Sequence, residues 1–181
     1  MKAWPVAAPF CLGWAELGLG RTGQGAGRVN ECRLFRTFKE RGEWVELRFM
    51  TAAVEHGFKV SKPWGDSSPY DVGVESGSRI LRVQVKSTAC RSGTGYFCQF
   101  KPHYLSAPYT LRQVDFFAAY VIPQDVWYVI PARVLLQGRR KEAAMLCPMR
   151  PLRKNRYRYE RYREAWALLR EKGGKQNSPK V

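Results

Sequence analysis

Between residues 37 and 55 the row Trp44, Leu47, Met50, Thr51 and Val54 recurs at spacings of three and four. That period predicts an α-helix with one face turned inward, stopped by Gly57. A short strand is expected at 58–61, then a loop through Pro63, Gly65, Asp66 and Ser67. The run 70–75 reads as a second strand. Ser76, Gly77 and Ser78 then turn the chain, which makes the next strand, 79–87, its antiparallel hairpin partner. In that strand Leu81, Val83 and Val85 share one face, and Ile80, Arg82, Gln84 and Lys86 share the other. The first face is core; the second becomes polar towards its end. Further strands are expected at 96–100, 116–122 and 126–130, the last two joined by a turn at Pro123, Gln124 and Asp125. A final helix is expected at 158–172, with Tyr159, Tyr162, Trp166 and Leu169 as its inward stripe.

The chain has 181 residues, 45% hydrophobic and 13% aromatic, enough for one domain with a true core. Lys and Arg number 31 against 15 for Asp and Glu, a net charge of +16. Residues 137–181 alone carry 14 basic and 4 acidic side chains. The excess is thus a basic segment attached to a core of ordinary charge, and its natural partner is a polyanion, most commonly nucleic acid. No run of apolar residues is long enough to span a membrane, and a cytoplasmic, nucleoid-associated location is expected.

The cysteines are Cys11, Cys32, Cys90, Cys98 and Cys147, with no C-x-x-C pair and only His56 and His103 beside them. A zinc site or disulfide framework is not expected. Residues 1–35 are expected to be a Gly-rich, poorly ordered extension, 36–172 the folded domain and 173–181 a flexible tail. The apolar start is broken by Pro5, Pro9 and Gly13, unlike a signal peptide. Gly18, Gly20 and Gly23 spell GxGxxG, but no strand pattern precedes them and Gly25 and Gly27 follow, so a linker is the reading.

Four residues stand out chemically: Glu46 on the first helix, Asp71 in the second strand, and Gln84 and Lys86 in the third. Metal-dependent phosphodiester hydrolysis needs hard oxygen ligands and a cation near the attacking water. Asp71 offers a carboxylate and Gln84 an amide oxygen, on neighbouring hairpin strands. The Val85 carbonyl is a further candidate ligand. Lys86, two residues beyond Gln84, shares its face and can orient the water or stabilise the phosphorane. A solvated strand face with an Asp71–Lys86 salt bridge is the competing explanation.

In context the run Gly42, Glu46, Gly57, Phe58, Val60, Pro63, then Pro69, Tyr70, Asp71, then Val83, Gln84, Val85, Lys86, Ser87 resembles the PD-(D/E)XK nuclease superfamily. More narrowly, it is similar to the small bacterial endonucleases that include a group I intron homing endonuclease, and more distantly to archaeal Holliday-junction resolvases. Asp115, Phe116, Phe117 and Trp127, Tyr128, Ile130, Pro131 also look like that branch, so the resemblance covers about 38–170. It implies an α/β fold, a restriction-endonuclease-like mixed β-sheet flanked by helices, with Mg²⁺, or Mn²⁺, at its centre. Asp71 then matches the first metal ligand, Lys86 the catalytic lysine and Glu46 the helix carboxylate, with Glu43 as the alternative. Gln84 stands where most of the superfamily has Glu or Asp, which removes a negative charge from the site.

Arg153, Lys154, Arg156 and Arg158, interleaved with Tyr157 and Tyr159, are candidates for gripping DNA phosphates, and Arg79, Arg82, Arg91 and Lys101 for lining the groove nearer the site. The expected function is a Mg²⁺-dependent endonuclease on double-stranded DNA, working as a homodimer or higher oligomer because two strands need two sites. The alternative is a catalytically silent DNA- or junction-binding protein of the same fold. A basic RNA-associated protein is the third reading.

Overall fold

The computed structural model describes residues 35–65, 67–102, 107–137, 143–149 and 158–170. Helix α1 is Phe38–Glu55, and its start is a reciprocal cap: Thr37 Oγ1 accepts from Glu40 N at 3.1 Å, and the Glu40 carboxylate accepts from Thr37 N at 3.3 Å. Gly57, at φ 81°, ends it. The buried side chains are Val45, Phe49 and Ala53. This corrects the expected stripe, for Leu47 and Val54 are 60% and 56% exposed. At 100° per residue those two lie on the far side from Phe49. The segment carries apolar residues on several faces, and two rows fit the helical period.

Five strands form a mixed sheet in the order β1–β2–β3–β6–β7, made of β1 (Val60–Ser61), β2 (Val72–Ser76), β3 (Arg79–Thr88), β6 (Phe116–Val121) and β7 (Val126–Pro131). The expected hairpin is present: β2 and β3 are antiparallel from Ser76↔Arg79 to Val72↔Val83. β3 and β6 are parallel, and β6 and β7 antiparallel. A second, antiparallel sheet of β4 (Arg91–Ser92), β5 (Gly95–Gln99) and β8 (Ala143–Leu146) covers one face. β8 and the short α2 (Ala132–Leu136) carry no signal in the sequence reading.

The central sheet is buried on both faces. Val72, Val74, Val83, Val85, Ala118 and Tyr120 pack against α1, and Phe117, Ala119 and Val121 against β5, β8 and α2. The expected helix at 158–172 is instead two short 3-10 turns, Glu160–Tyr162 and Trp166–Leu169. Glu164, at φ 49°, breaks the chain between them. The stripe is nonetheless buried: Tyr159 and Tyr162 enter one core, Trp166 and Leu169 the other. A continuous helix could not serve both. The break lets the segment lie along β7, where Arg163 bridges Tyr128 and Glu164 N donates to Trp127 O at 2.9 Å. The free edge of the sheet is thereby covered. The expectations for Gly18, Gly20, Gly23, Cys11 and Cys32 fall outside the described residues, as do those for 1–34 and 171–181.

Candidate active site

The β2–β3 ladder parts beyond Val72↔Val83, while β3 continues to Thr88 beside β6. Asp71 N still donates to Val83 O at 3.0 Å. Two residues on, the Val85 amide points the same way by strand alternation and meets no β2 backbone. The Asp71 side chain takes that place: Oδ2 accepts from Val85 N at 2.7 Å and from Gln84 Nε2 at 2.5 Å. Asp71 and Gln84, 13 residues apart, thus meet as the hairpin reading expects.

Burial pushes the Asp71 carboxyl up to about 6, and the charge of Glu46 pushes in the same direction, against the Val85 and Gln84 hydrogen bonds and the charge of Lys86. Lys86 follows Gln84 on the same face and is half-buried. Burial lowers its pKa, opposed by the attraction of Asp71. Among the described residues no hydrogen bond or ion pair joins Asp71 to Lys86, and the ammonium lies over the ring of Tyr109, whose centroid is 5.6 Å away.

Glu46 reaches the site from α1 and accepts from Lys62 Nζ at 2.7 Å. That bond raises the lysine's pKa. Glu43 is exposed and pairs with Lys39 at 3.9 Å. Of the two helix carboxylates, Glu46 is the one whose charge acts on Asp71. Lys62 and Tyr109 escape the sequence reading. Both lie in connecting segments, where no period marks a side chain as inward.

Among the described residues no three His, Cys, Asp or Glu side chains gather as a metal cage. The donors at hand are the carboxylates of Asp71 and Glu46, the Gln84 amide and the Val85 carbonyl, which opens on the Asp71 side. Asp71 Oδ1 and Gln84 Oε1 accept no hydrogen bond within the described residues. A wholly oxygen donor set suits a hard divalent cation, Mg²⁺ or Mn²⁺, and not a thiophilic one.

The basic candidates divide. Arg82 is held internally: Nε and Nη2 donate to Asp115 Oδ2 and Oδ1 at 2.9 and 3.0 Å, and Arg82 N donates to Oδ2 at 2.9 Å. Asp115 is therefore a clamp between β3 and β6. Arg79 and Arg91 are exposed, at the hairpin end and on β4, and Lys101 is exposed after β5. Arg158 is exposed and donates to Val134 O at 3.2 Å. Arg153, Lys154 and Arg156 lie outside the described residues.

A family model described as PD-(D/E)XK endonuclease matches residues 37–169. Among solved structures, a bacterial homing endonuclease, I-Ssp6803I, matches at 27% identity and a TM-score of 0.63, over 74% of this chain and 93% of that one. Hjc, a Holliday junction resolvase of the archaeal hyperthermophile Archaeoglobus fulgidus, matches at 14% identity and a TM-score of 0.42, over 58% of this chain and 84% of that one. No curated protein matches the chain significantly. No helix among the described residues is long and apolar enough to cross a membrane.

Proposed function

Because the chain belongs to the PD-(D/E)XK endonuclease family, we propose that it is a Mg²⁺-dependent endonuclease that hydrolyses phosphodiester bonds of double-stranded DNA, with its domain spanning 36–172. The observation that carries the reading is the parting of β2 and β3 around Asp71, which sets one half-buried carboxylate against Gln84 with Lys86 on the next inward position. The similarity to a homing endonuclease supports DNA as the substrate.

A divalent ion bound there would activate water and neutralise charge on the phosphate. Asp71 and Glu46 would hold it by their carboxylates, the latter released from Lys62. Gln84 would present its amide oxygen after turning its NH₂ away from Asp71. Lys86, partly desolvated, would orient the attacking water and stabilise the pentavalent phosphorus by its N–H donors. Arg79, Arg91, Lys101 and Arg158 would contact backbone phosphates. Two copies of the chain would cut the two strands.

A supercoiled plasmid incubated with Mg²⁺ or Mn²⁺ tests this. Wild type is expected to nick and linearise it, and Asp71→Ala and Lys86→Ala to cut at least about 100-fold more slowly. Equal cutting by both variants would overturn the assignment. The silent DNA- or junction-binding reading draws on one observation: an N–H donor already occupies one oxygen of each carboxylate, Gln84 on Asp71 and Lys62 on Glu46. Under it, wild type shifts DNA in a gel and leaves the plasmid intact with either metal.

A further inference from the structure

Tyr109 precedes β6 and is half-buried. Its ring meets Phe117 edge-on at 5.5 Å, and Phe117 meets Phe100 in the same way at 5.2 Å. Phe117 stands opposite Gln84 in the β3–β6 ladder. Three rings therefore form a column beside the row of Gln84 and Lys86. Lys86 Nζ lies 5.6 Å from the Tyr109 centroid, within the range where a ring face attracts a cation. Within the described residues the ammonium makes no hydrogen bond and no ion pair.

We propose that Tyr109 is a positioning residue for the hydrolysis, its ring face holding the Lys86 ammonium beside Asp71. The inference rests on the nuclease reading. A lysine has a long flexible stem, and a carboxylate partner would fix it only by taking its donors. In this site that carboxylate would be Asp71, so the pairing would spend the metal ligand and the cation on each other. A π face holds the charge through its quadrupole and leaves the N–H groups for water and a phosphate oxygen. The column through Phe117 and Phe100 keeps the ring from following the lysine.

Two readouts test it, one of them independent of activity. In metal-free protein with ¹³C-labelled lysine, the ε-methylene protons of Lys86, assigned by their loss in Lys86→Met, are expected upfield by the ring current. They should stay upfield in Tyr109→Phe and return to the ordinary position in Tyr109→Leu. In plasmid cutting, Tyr109→Leu is expected to lower kcat about tenfold or more with little change in KM, while Tyr109→Phe restores wild-type turnover. An unshifted Lys86 resonance in wild type, or wild-type cutting by Tyr109→Leu, overturns the proposal. A wild type that does not cut at all overturns the nuclease reading instead, and the resonance alone then decides whether the ring holds the lysine.

Discussion

Gln84 donates its side-chain amide to the Oδ2 of Asp71 at 2.5 Å, so an N–H, and not the amide oxygen, faces the carboxylate. The pair carries a single ionisable carboxyl, because the amide is neutral. Gln84→Glu would set two carboxylates in contact at a buried position, where both cannot ionise cheaply. In EDTA at pH 8 the variant is expected to lose about 1–3 kcal/mol of stability, and Mg²⁺ should restore more of it than wild type gains. Thermal melts with and without metal read this; a Gln84→Glu protein as stable as wild type in EDTA would refute it.

Asp71 itself is held at a cost. Its carboxyl is pushed from 3.8 up to about 6 by burial and by Glu46. A folded-state value above the unfolded one means that the protonated form fits the fold better. The associated stability is present below about pH 4 and is lost as pH rises through 6. That rise of the carboxyl is worth at most about 3 kcal/mol. Asp71→Asn should therefore gain on wild type as pH rises from 4 to 7, by about 1–3 kcal/mol, while losing plasmid cutting. Urea unfolding of both proteins across that range gives the difference; a flat difference would refute it.

The arginines divide by role. Arg82→Ala breaks the two-pronged contact with Asp115 and should destabilise the protein by about 1–3 kcal/mol. Arg79→Ala, at the exposed hairpin end, should leave the melting temperature unchanged and lower the salt slope of DNA binding by about one. Melting curves and binding isotherms at several salt concentrations separate the two.

Glu160 is 3% exposed and accepts from Tyr128 Oη at 2.9 Å and from Cys147 N at 2.6 Å. Glu160→Ala removes the carboxylate that accepts both bonds and should cost roughly 2–4 kcal/mol. Chemical denaturation measures it, and cutting below the transition should persist, since no site residue is touched.

The part of the molecule most legible in the sequence is the hairpin. Gly77 marks its turn, and the alternation of Leu81, Val83 and Val85 with Gln84 and Lys86 fixes its faces, so the meeting of Asp71 and Gln84 follows from register alone. The helix is legible in place but not in orientation, because α1 has apolar residues on several sides and only packing against the sheet selects Val45, Phe49 and Ala53. The C-terminal stripe is legible, but the break at Glu164 is not, since a glutamate at positive φ has no signature. Its carboxylate is held by a tertiary bond from Trp127 N to Oε1 at 2.6 Å and a local one from Trp166 Nε1 to Oε2 at 2.7 Å. Arg82 and Asp115 are 33 positions apart and Tyr109 lies in a loop; pairs of that kind carry no periodic trace.

The clamp of Asp115 on Arg82 sits two residues before Gln84, and the backbone carries it onward: Asp115 N donates to Arg82 O at 2.9 Å and Ala132 N to Asp115 O at 2.8 Å. A slip of one position along β3 would present Val83 and Val85 where Gln84 and Lys86 now stand. The row of Gln84 and Lys86 is thus indexed by a bolt two strands wide, and a change at Asp115 or at the head of α2 would move the proposed site while leaving its side chains intact.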